Sequence, residues 1–171
     1  MEKTLKVINE LEAKGLIEKY AIGGAFAALF YMEPALTYDL DVFIFLPKAK
    51  SKIVVLTPIY DYLRKKGYRE DKEHILIEGT PVQFIPAYNA LTEEAVRNAR
   101  ETKYGKERTR VFRAEHLAAV MLQTNRPKDR ARLGLFLEEA GIDRKKLKEI
   151  AKRNHLTETW AEISKNFFKR R

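Results

Sequence analysis

Two short motifs in this chain could do chemistry together: Gly23-Gly24 and Asp39-Leu40-Asp41. Asp39 and Asp41 stand two apart at the start of an apolar run, Val42-Phe-Ile-Phe-Leu46. Side chains at i and i+2 of a strand point to one face, so the two carboxylates lie close and repel each other. Such a pair is costly unless a cation or a basic neighbour compensates. Carboxylates together with phosphate oxygens are a common way to hold Mg²⁺. Gly23-Gly24 falls between a short apolar stretch and an Ala- and Phe-rich one, a strand-to-helix junction. There the missing side chains let the backbone approach a phosphate, and helix-start N–H groups favour its charge. Each motif has a blander reading, a turn for the glycines and a solvated loop or cap for the aspartates. Their order, strand, Gly-Gly, buried helix, Asp-x-Asp, strand, predicts a metal-dependent site for a nucleoside triphosphate.

Other candidates are weaker. Arg126, Lys128, Arg130 and Arg132 surround a helix start; Arg126 and Lys128 could meet phosphates, while Arg130 and Arg132 could equally be solvated. Lys103, Lys106, Arg108, Arg110 and Arg113 form a basic run with Tyr104 and Phe112 interleaved, which suits an RNA backbone or simply an exposed basic strand. The tail from Lys165 to Arg171 could dock on RNA or fray. Trp160 stands at helical spacing from Ile163 and reads as core. His116 reads as structural, and Glu93-Glu94 as first-turn charges. Ser51 and Ser164 have no histidine partner that spacing identifies, so a serine hydrolase is not supported.

These residues need a scaffold. Leu5, Ile8, Leu11 and Ala13 predict a first helix over 3–14, stopped by Gly15. Tyr20–Ile22 predicts a strand, 25–32 a buried helix ended by Glu33-Pro34, and 37–46 a strand apolar on both faces, hence central. Lys48–Lys52 is a polar connection, 53–56 an early helical turn, and Thr57-Pro58 opens a helix to Lys66 that Gly67 ends. His74–Glu78 and Val82–Ile85 are strands joined by Gly79-Thr80-Pro81, and Thr92 caps a short helix. Residues 103–112 form an extended segment. Helices follow over 114–123, 128–140, 143–153 and 157–168, broken by Asn125-Arg-Pro127, Gly141 and Asn154-His155. About four strands are expected, in an α/β half that precedes a helical half.

The chain has 171 residues, 45% hydrophobic and 33% charged, a length and composition for one domain, or one with an appended helical lobe. No apolar run approaches the ~20 residues of a membrane span. The first residues lack an apolar signal core, so a cytoplasmic location is expected. Cysteine is absent, which excludes disulfides, thiol nucleophiles and cysteine-ligated metals. The three scattered histidines argue against a histidine metal site. Residues 1–96 hold 12 of the 33 Lys and Arg and 14 of the 24 Asp and Glu, leaving 21 and 10 for the remainder, so net −2 faces net +11. A basic half is the footprint expected of a polyphosphate or nucleic-acid partner. Ion-pair-rich surfaces and thermophilic composition offer a plainer source of the same charge.

The stretch Tyr20-Ala-Ile-Gly-Gly-Ala-Phe-Ala-Ala-Leu29, with Thr37-Tyr-Asp-Leu-Asp-Val42, resembles the signature of the polymerase-beta-like nucleotidyltransferase superfamily. It is most similar to small prokaryotic members of the abortive-infection, toxin type. Met121-Leu-Gln-Thr-Asn-Arg-Pro-Lys-Asp129 resembles their helical segment Lys-x-x-Ala-x-Arg-x-Lys-Asp. The resemblance spans roughly residues 20–140 and implies an α/β nucleotidyltransferase fold, a small mixed sheet flanked by helices and followed by a C-terminal helical lobe. The coincident breaks in composition and charge near residue 100 divide the chain into a core, 1–100, and a basic helical lobe, 101–171, with the site expected in the cleft between. The resemblance implies transfer of a nucleotide from an NTP to an acceptor hydroxyl, with RNA or a tRNA end as the acceptor. Asp39 and Asp41 would be catalytic ligands of Mg²⁺ or Mn²⁺. Gly23, Gly24, Arg126, Lys128 and Asp129 would bind the NTP.

The sequence departs from the pattern at three places, one of them the long spacing from Gly24 to Asp39. Many members carry a third carboxylate on a later strand, where this chain has Gln83, an amide that cannot take a proton. Glu78, across the hairpin, is the other candidate for that third position. Met121 stands where the toxin-type members have Lys. Two further readings therefore remain beside the enzyme: a degenerate nucleotide- or RNA-binding module, and one half of a toxin–antitoxin-like pair whose basic lobe meets a protein partner.

Overall fold

The computed structural model describes residues 1–32, 37–47 and 56–168, with side chains to residue 165. The expected stop at Glu33-Pro34, the connection 48–52, the turn at 53–55 and the end of the basic tail lie outside the described residues. The elements are α1 (Glu2–Ala13), β1 (Lys19–Ile22), α2 (Gly24–Ala28), β2 (Leu40–Phe45), α3 (Thr57–Lys65), β3 (Arg69–Asp71), β4 (His74–Ile77), β5 (Thr80–Pro86), α4 (Ala90–Arg97), β6 (Arg100–Tyr104) and β7 (Glu107–Val111). Four helices follow: α5 (Ala114–Thr124), α6 (Pro127–Glu139), α7 (Arg144–Arg153) and α8 (Thr157–Phe168).

The sheet has seven strands among the described residues, in the order β3-β4-β5-β2-β1-β7-β6. It is mixed: β2 runs parallel to β5 and β1 parallel to β7, while the other neighbours are antiparallel. The run Val42–Ile44 is buried on both faces because β2 lies between β1 and β5 with helices above and below. One face carries Tyr20, Val42, Ile44 and Phe84. The Tyr20 hydroxyl donates to Asn9 of α1 (2.6 Å), and Tyr60 of α3 meets Phe84 edge-on. The other face carries Asp41, Phe43, Gln83 and Ile85, with α2, α4 and α5 packed on that side.

Leu5, Ile8 and Leu11 of α1 are fully buried at helical spacing, and they join Leu133, Phe136, Leu147, Trp160 and Ile163 of the later helices in one continuous core. Trp160 and His116 are buried, as expected. Fully burying a side chain of this size contributes on the order of 1.5–3 kcal/mol, so the helical half is held to the sheet mainly by apolar contact.

Several elements differ from expectation for local reasons. The helix expected over 25–32 is α-helical only to Ala28. Beyond it Leu29, Phe30 and Tyr31 donate to carbonyls three residues back, a tightened turn. Asn89, not Thr92, caps α4: its side chain accepts from the Thr92 N–H (2.9 Å), and Thr92 closes the capping box. The β4–β5 turn falls at Glu78-Gly79, both left-handed (φ 51° and 79°), which leaves Thr80 and Pro81 inside β5. The charged triplet β3 carries no apolar signal and forms only as an edge strand. The extended basic segment is a hairpin, β6–β7, turning at Gly105-Lys106. The sheet thus continues through Val111, and the charge break near residue 97 falls inside it.

Candidate active site

A cleft of about 520 Å³ runs along β2 and β5, floored by Asp39, Asp41, Phe43, Gln83 and Ile85. Its far wall is α5 (Leu117, Val120, Met121, Thr124) and the start of α6 (Arg126, Lys128, Asp129, Arg132). Its lining therefore has a charged part and an apolar part. Tyr38 and Tyr88, the two most exposed of the large apolar side chains, also line it.

Asp39 precedes β2 and Asp41 lies within it, and both line the cleft as their spacing requires. Asp39 accepts from the Thr37 hydroxyl (3.2 Å), and His74 Nε2 lies 3.8 Å from its other oxygen. Burial pushes the Asp41 carboxyl above the usual carboxylate range. The Asp39 charge pushes the same way, while His74, Arg126 and Lys128 pull it back. Acids and cations from β2, β4 and α6 are thus within electrostatic reach of one another.

The glycines serve Asp41. Gly24 sits at φ +57°, and a Cβ there would overlap the Asp41 Oδ2 atom. Only a bare backbone lets the chain pass this close to the carboxylate. Gly23 acts through its backbone and its small size. Its N–H donates to the Asp41 carbonyl (2.9 Å), and a Cβ on it would collide with the Phe43 ring. Gly24 lines the cleft, whereas Gly23 packs beneath it.

Gln83 is the register partner of Asp41 on the parallel neighbour β5, so the amide lies beside the carboxylate. Glu78 is elsewhere. It sits in the β4–β5 turn and accepts from the Tyr68 hydroxyl (2.8 Å), outside the cleft lining. Met121 is buried in the α5 wall and gives that part of the cleft an apolar surface.

Arg126 and Asp129 form a unit. Asp129 is 3% exposed. Its oxygens accept from Thr124 Oγ1 (2.8 Å), Arg126 Nε (2.6 Å) and Arg126 Nη2 (3.3 Å). Burial works to raise its pKa, and the Arg126 and Thr124 hydrogen bonds outweigh that and hold it low. Arg130 turns away to Asn125 and Glu162, whereas Arg132 joins the cleft. His74 and Tyr88 carried no sequence signal, because long-range folding brings them to the cleft, whereas Tyr38 reaches it as the chain neighbour of Asp39.

Among the described residues no group of three or more His, Asp or Glu is arranged to hold a metal ion. Asp39 and Asp41 are two hard oxygen donors, a set that fits a cation whose remaining ligands are phosphate and water. No helix of the described residues is long and apolar enough to cross a membrane. No family model matches the chain, and no curated protein does. Among solved structures the chain is similar to an antigenic nucleotidyltransferase-like protein from Paracoccidioides brasiliensis, with 12% identity and a TM-score of 0.54 over 95% of this chain and 92% of that one. That likeness covers both halves, and the fold of this chain is nucleotidyltransferase-like.

Proposed function

We propose that the cleft binds a metal–nucleoside triphosphate and transfers its nucleotidyl group to an acceptor hydroxyl. One observation carries this reading: a desolvated Asp41 carboxylate beside the exposed Asp39 carboxylate in one cleft, with the Gly24 backbone against Asp41 and Arg126 and Lys128 in the facing wall. Left alone the pair is destabilising, and a ligand bearing positive charge relieves it.

Asp39 and Asp41 would hold Mg²⁺ or Mn²⁺, which when bound neutralises phosphate charge at the reacting centre. Arg126 and Lys128 supply fixed positive charge for the outer phosphates, and the Thr124–Asp129 anchor keeps the guanidinium in place. The apolar part of the cleft, with Phe43, Ile85 and Met121, suits the less polar part of the nucleotide. The acceptor oxygen forms a bond to the α-phosphorus, the bond to the β-bridging oxygen breaks, and pyrophosphate leaves. The hydroxyl proton leaves to water, since Gln83 cannot take it. RNA, including a tRNA end, is the acceptor that the resemblance and the basic second half favour, and a toxin-like role follows from the same resemblance.

Gln83 beside Asp41 favours a second reading, a module that binds the nucleotide without transferring it. Incubation with each α-labelled NTP, Mg²⁺ or Mn²⁺ and total RNA, alongside the Asp39→Asn/Asp41→Asn variant, separates the two. Label on RNA that the variant abolishes supports transfer and names the nucleotide. Metal-dependent NTP binding by calorimetry with no label on any acceptor supports the binder. Full activity in the double variant excludes the mechanism.

A further inference from the structure

The aspartate cleft brings together five side chains that carry hydroxyls: Thr37, Tyr38, Tyr88, Thr92 and Thr124. We propose that Tyr38 is a site of self-modification, its hydroxyl accepting a nucleotidyl group from a triphosphate bound in the cleft of the same chain. The inference rests on the transfer reading of the cleft and adds to it an acceptor that the fold itself supplies.

Three of the five hydroxyls are already engaged. Thr37 Oγ1 donates to Asp39 (3.2 Å), Thr92 Oγ1 to Asn89 (3.1 Å) and Thr124 Oγ1 to Asp129 (2.8 Å). Outside the cleft, Tyr20, Tyr31 and Tyr68 donate theirs to Asn9, the Phe112 carbonyl and Glu78. Tyr38 and Tyr88 are 79% and 75% exposed, and their hydroxyls make no hydrogen bond among the described residues. A nucleophile needs a free lone pair and room for the electrophile, and these two hydroxyls have both.

Position separates the two. Gln83 is the register partner of Asp41 and Ile85 that of Phe43, and the Ala87 N–H donates to the Ile44 carbonyl (3.0 Å). Tyr88 follows Ala87, so it stands at the end of the cleft floor away from the aspartates. Tyr38 is the chain neighbour of Asp39. Strand alternation would turn it to the side opposite Asp39, but Tyr38 precedes β2 and its side chain lines the cleft. A triphosphate whose metal sits on Asp39 and Asp41 would bring its α-phosphorus to this end of the floor. A hydroxyl already held beside the reacting centre needs no encounter from solution.

The chemistry favours a phenol as well. Gln83 cannot take the acceptor's proton, which leaves to water, and a phenol releases its proton more readily than an aliphatic hydroxyl. In the step, the Tyr38 oxygen forms a bond to the α-phosphorus and the bond to the β-bridging oxygen breaks. Pyrophosphate leaves with that electron pair, and the phenol proton goes to water. The product is a phosphodiester joining the tyrosine to a nucleoside, one per chain at this residue.

Incubation of the full chain with each α-labelled NTP and Mg²⁺ or Mn²⁺, with no RNA present, tests the proposal, and γ-labelled NTP is the parallel arm. Label from the α position and none from the γ position is expected on the chain. The mass should rise by one nucleoside monophosphate, which peptide mapping assigns to Tyr38. Tyr38→Phe keeps the ring and is expected to lower the label on the chain at least ~10-fold, since it removes the attacking oxygen. Tyr88→Phe is expected to keep the label, and Asp39→Asn/Asp41→Asn to abolish it. At saturating NTP the first-order rate constant should hold over a roughly 10-fold dilution of the chain, as attack within one molecule requires. Label mapped to another residue, full label on Tyr38→Phe, or a rate constant that falls in proportion to dilution overturns the proposal. Transfer to added RNA with none to the chain also overturns it and leaves the transfer reading intact. Label on neither, with metal-dependent NTP binding retained, overturns both.

Discussion

Two carboxylate sites face the helical half of this molecule, and they are built to opposite rules. Glu94 of α4 is surrounded by partners. Arg153 of α7 donates to both of its oxygens, one at 2.9 Å, and His116 Nε2 of α5 lies 3.0 Å away. The Arg153 hydrogen bond dominates, and with His116 it carries the Glu94 pKa down to about 2 against the effect of burial. Asp41 has no such enclosure. Burial and Asp39 raise its pKa, and the cations that oppose them stand across a cleft and not in contact. One site ties three helices together. The other holds a carboxylate whose charge burial and Asp39 disfavour and the facing cations only partly offset. A carboxylate satisfied within the fold is evidence of architecture; one left unsatisfied beside a cavity is evidence of a ligand.

The strongest way to break this contrast is to neutralise Asp41. Asp41→Asn is expected to lower nucleotidyl transfer by at least about 10²-fold, or to abolish metal-dependent NTP binding in the binder reading. The same substitution removes a charge that burial, and secondarily the neighbouring Asp39, disfavours, and should raise stability by about 0.5–2 kcal/mol, a few degrees in Tm. The pH dependence carries the sign. The folded pKa of Asp41 lies above its unfolded value near 3.8, so its charge destabilises the fold above both. The Tm advantage of Asp41→Asn should be full at neutral pH and disappear as pH falls through the raised pKa toward 3.8. Paired thermal melts at pH 7 and pH 4 read this out; a variant less stable than wild type at pH 7 contradicts the assignment.

Glu94→Gln probes the satisfied site, with opposite expectations. Its folded pKa is depressed, so its contribution is complete above about 4.5 and is lost as pH falls toward about 2. That shift would correspond to on the order of 3 kcal/mol in a dry setting, and solvent screening of the exposed Arg153 reduces it to about 1–2 kcal/mol at pH 7. Denaturant titration at pH 7 should show a loss of about that size, shrinking below pH 4, with the activity per folded molecule unchanged. Equal loss at pH 7 and pH 3 would mean that packing, and not charge, is what Glu94 supplies.

The sequence made the unsatisfied site easier to read than the satisfied one. Asp39 and Asp41 were legible because strand alternation places them together, and Gly23-Gly24, otherwise an ordinary turn pair, because of its place in the order strand, Gly-Gly, helix, Asp-x-Asp, strand. Gln83 was recognisable as the neighbour of Asp41 only through family resemblance, and the β2–β5 register places it there. The Glu94 node joins residues from three helices, and no local pattern reports such a long-range meeting. Glu94 was expected as a first-turn charge and is instead a tie between α4, α5 and α7. The sheet was half legible for the same reason. β2 and β5 announce themselves by apolar runs, whereas β3, β6 and β7 are charged segments that become strands because a neighbouring edge offers hydrogen bonds.

Asp129 lies between the two rules and gives the smallest expected effect. It lines the cleft as an NTP ligand would, yet its oxygens are already taken by Thr124 and Arg126. If it acts through Arg126, Asp129→Asn replaces one charged acceptor with an amide that also presents N–H groups to the guanidinium. Arg126 then loses its fixed direction and keeps its charge. NTP affinity should fall about 3- to 10-fold with the transfer rate at saturation nearly unchanged, because charge near the phosphates is retained and only its placement suffers. A double-mutant cycle decides between acting through Arg126 and binding directly. Combining Asp129→Asn with Arg126→Ala should cost little more than Arg126→Ala alone, since the two side chains serve one function. Additive losses would place Asp129 in contact with the nucleotide itself and would require its oxygens to exchange Arg126 for the ligand when the cleft fills.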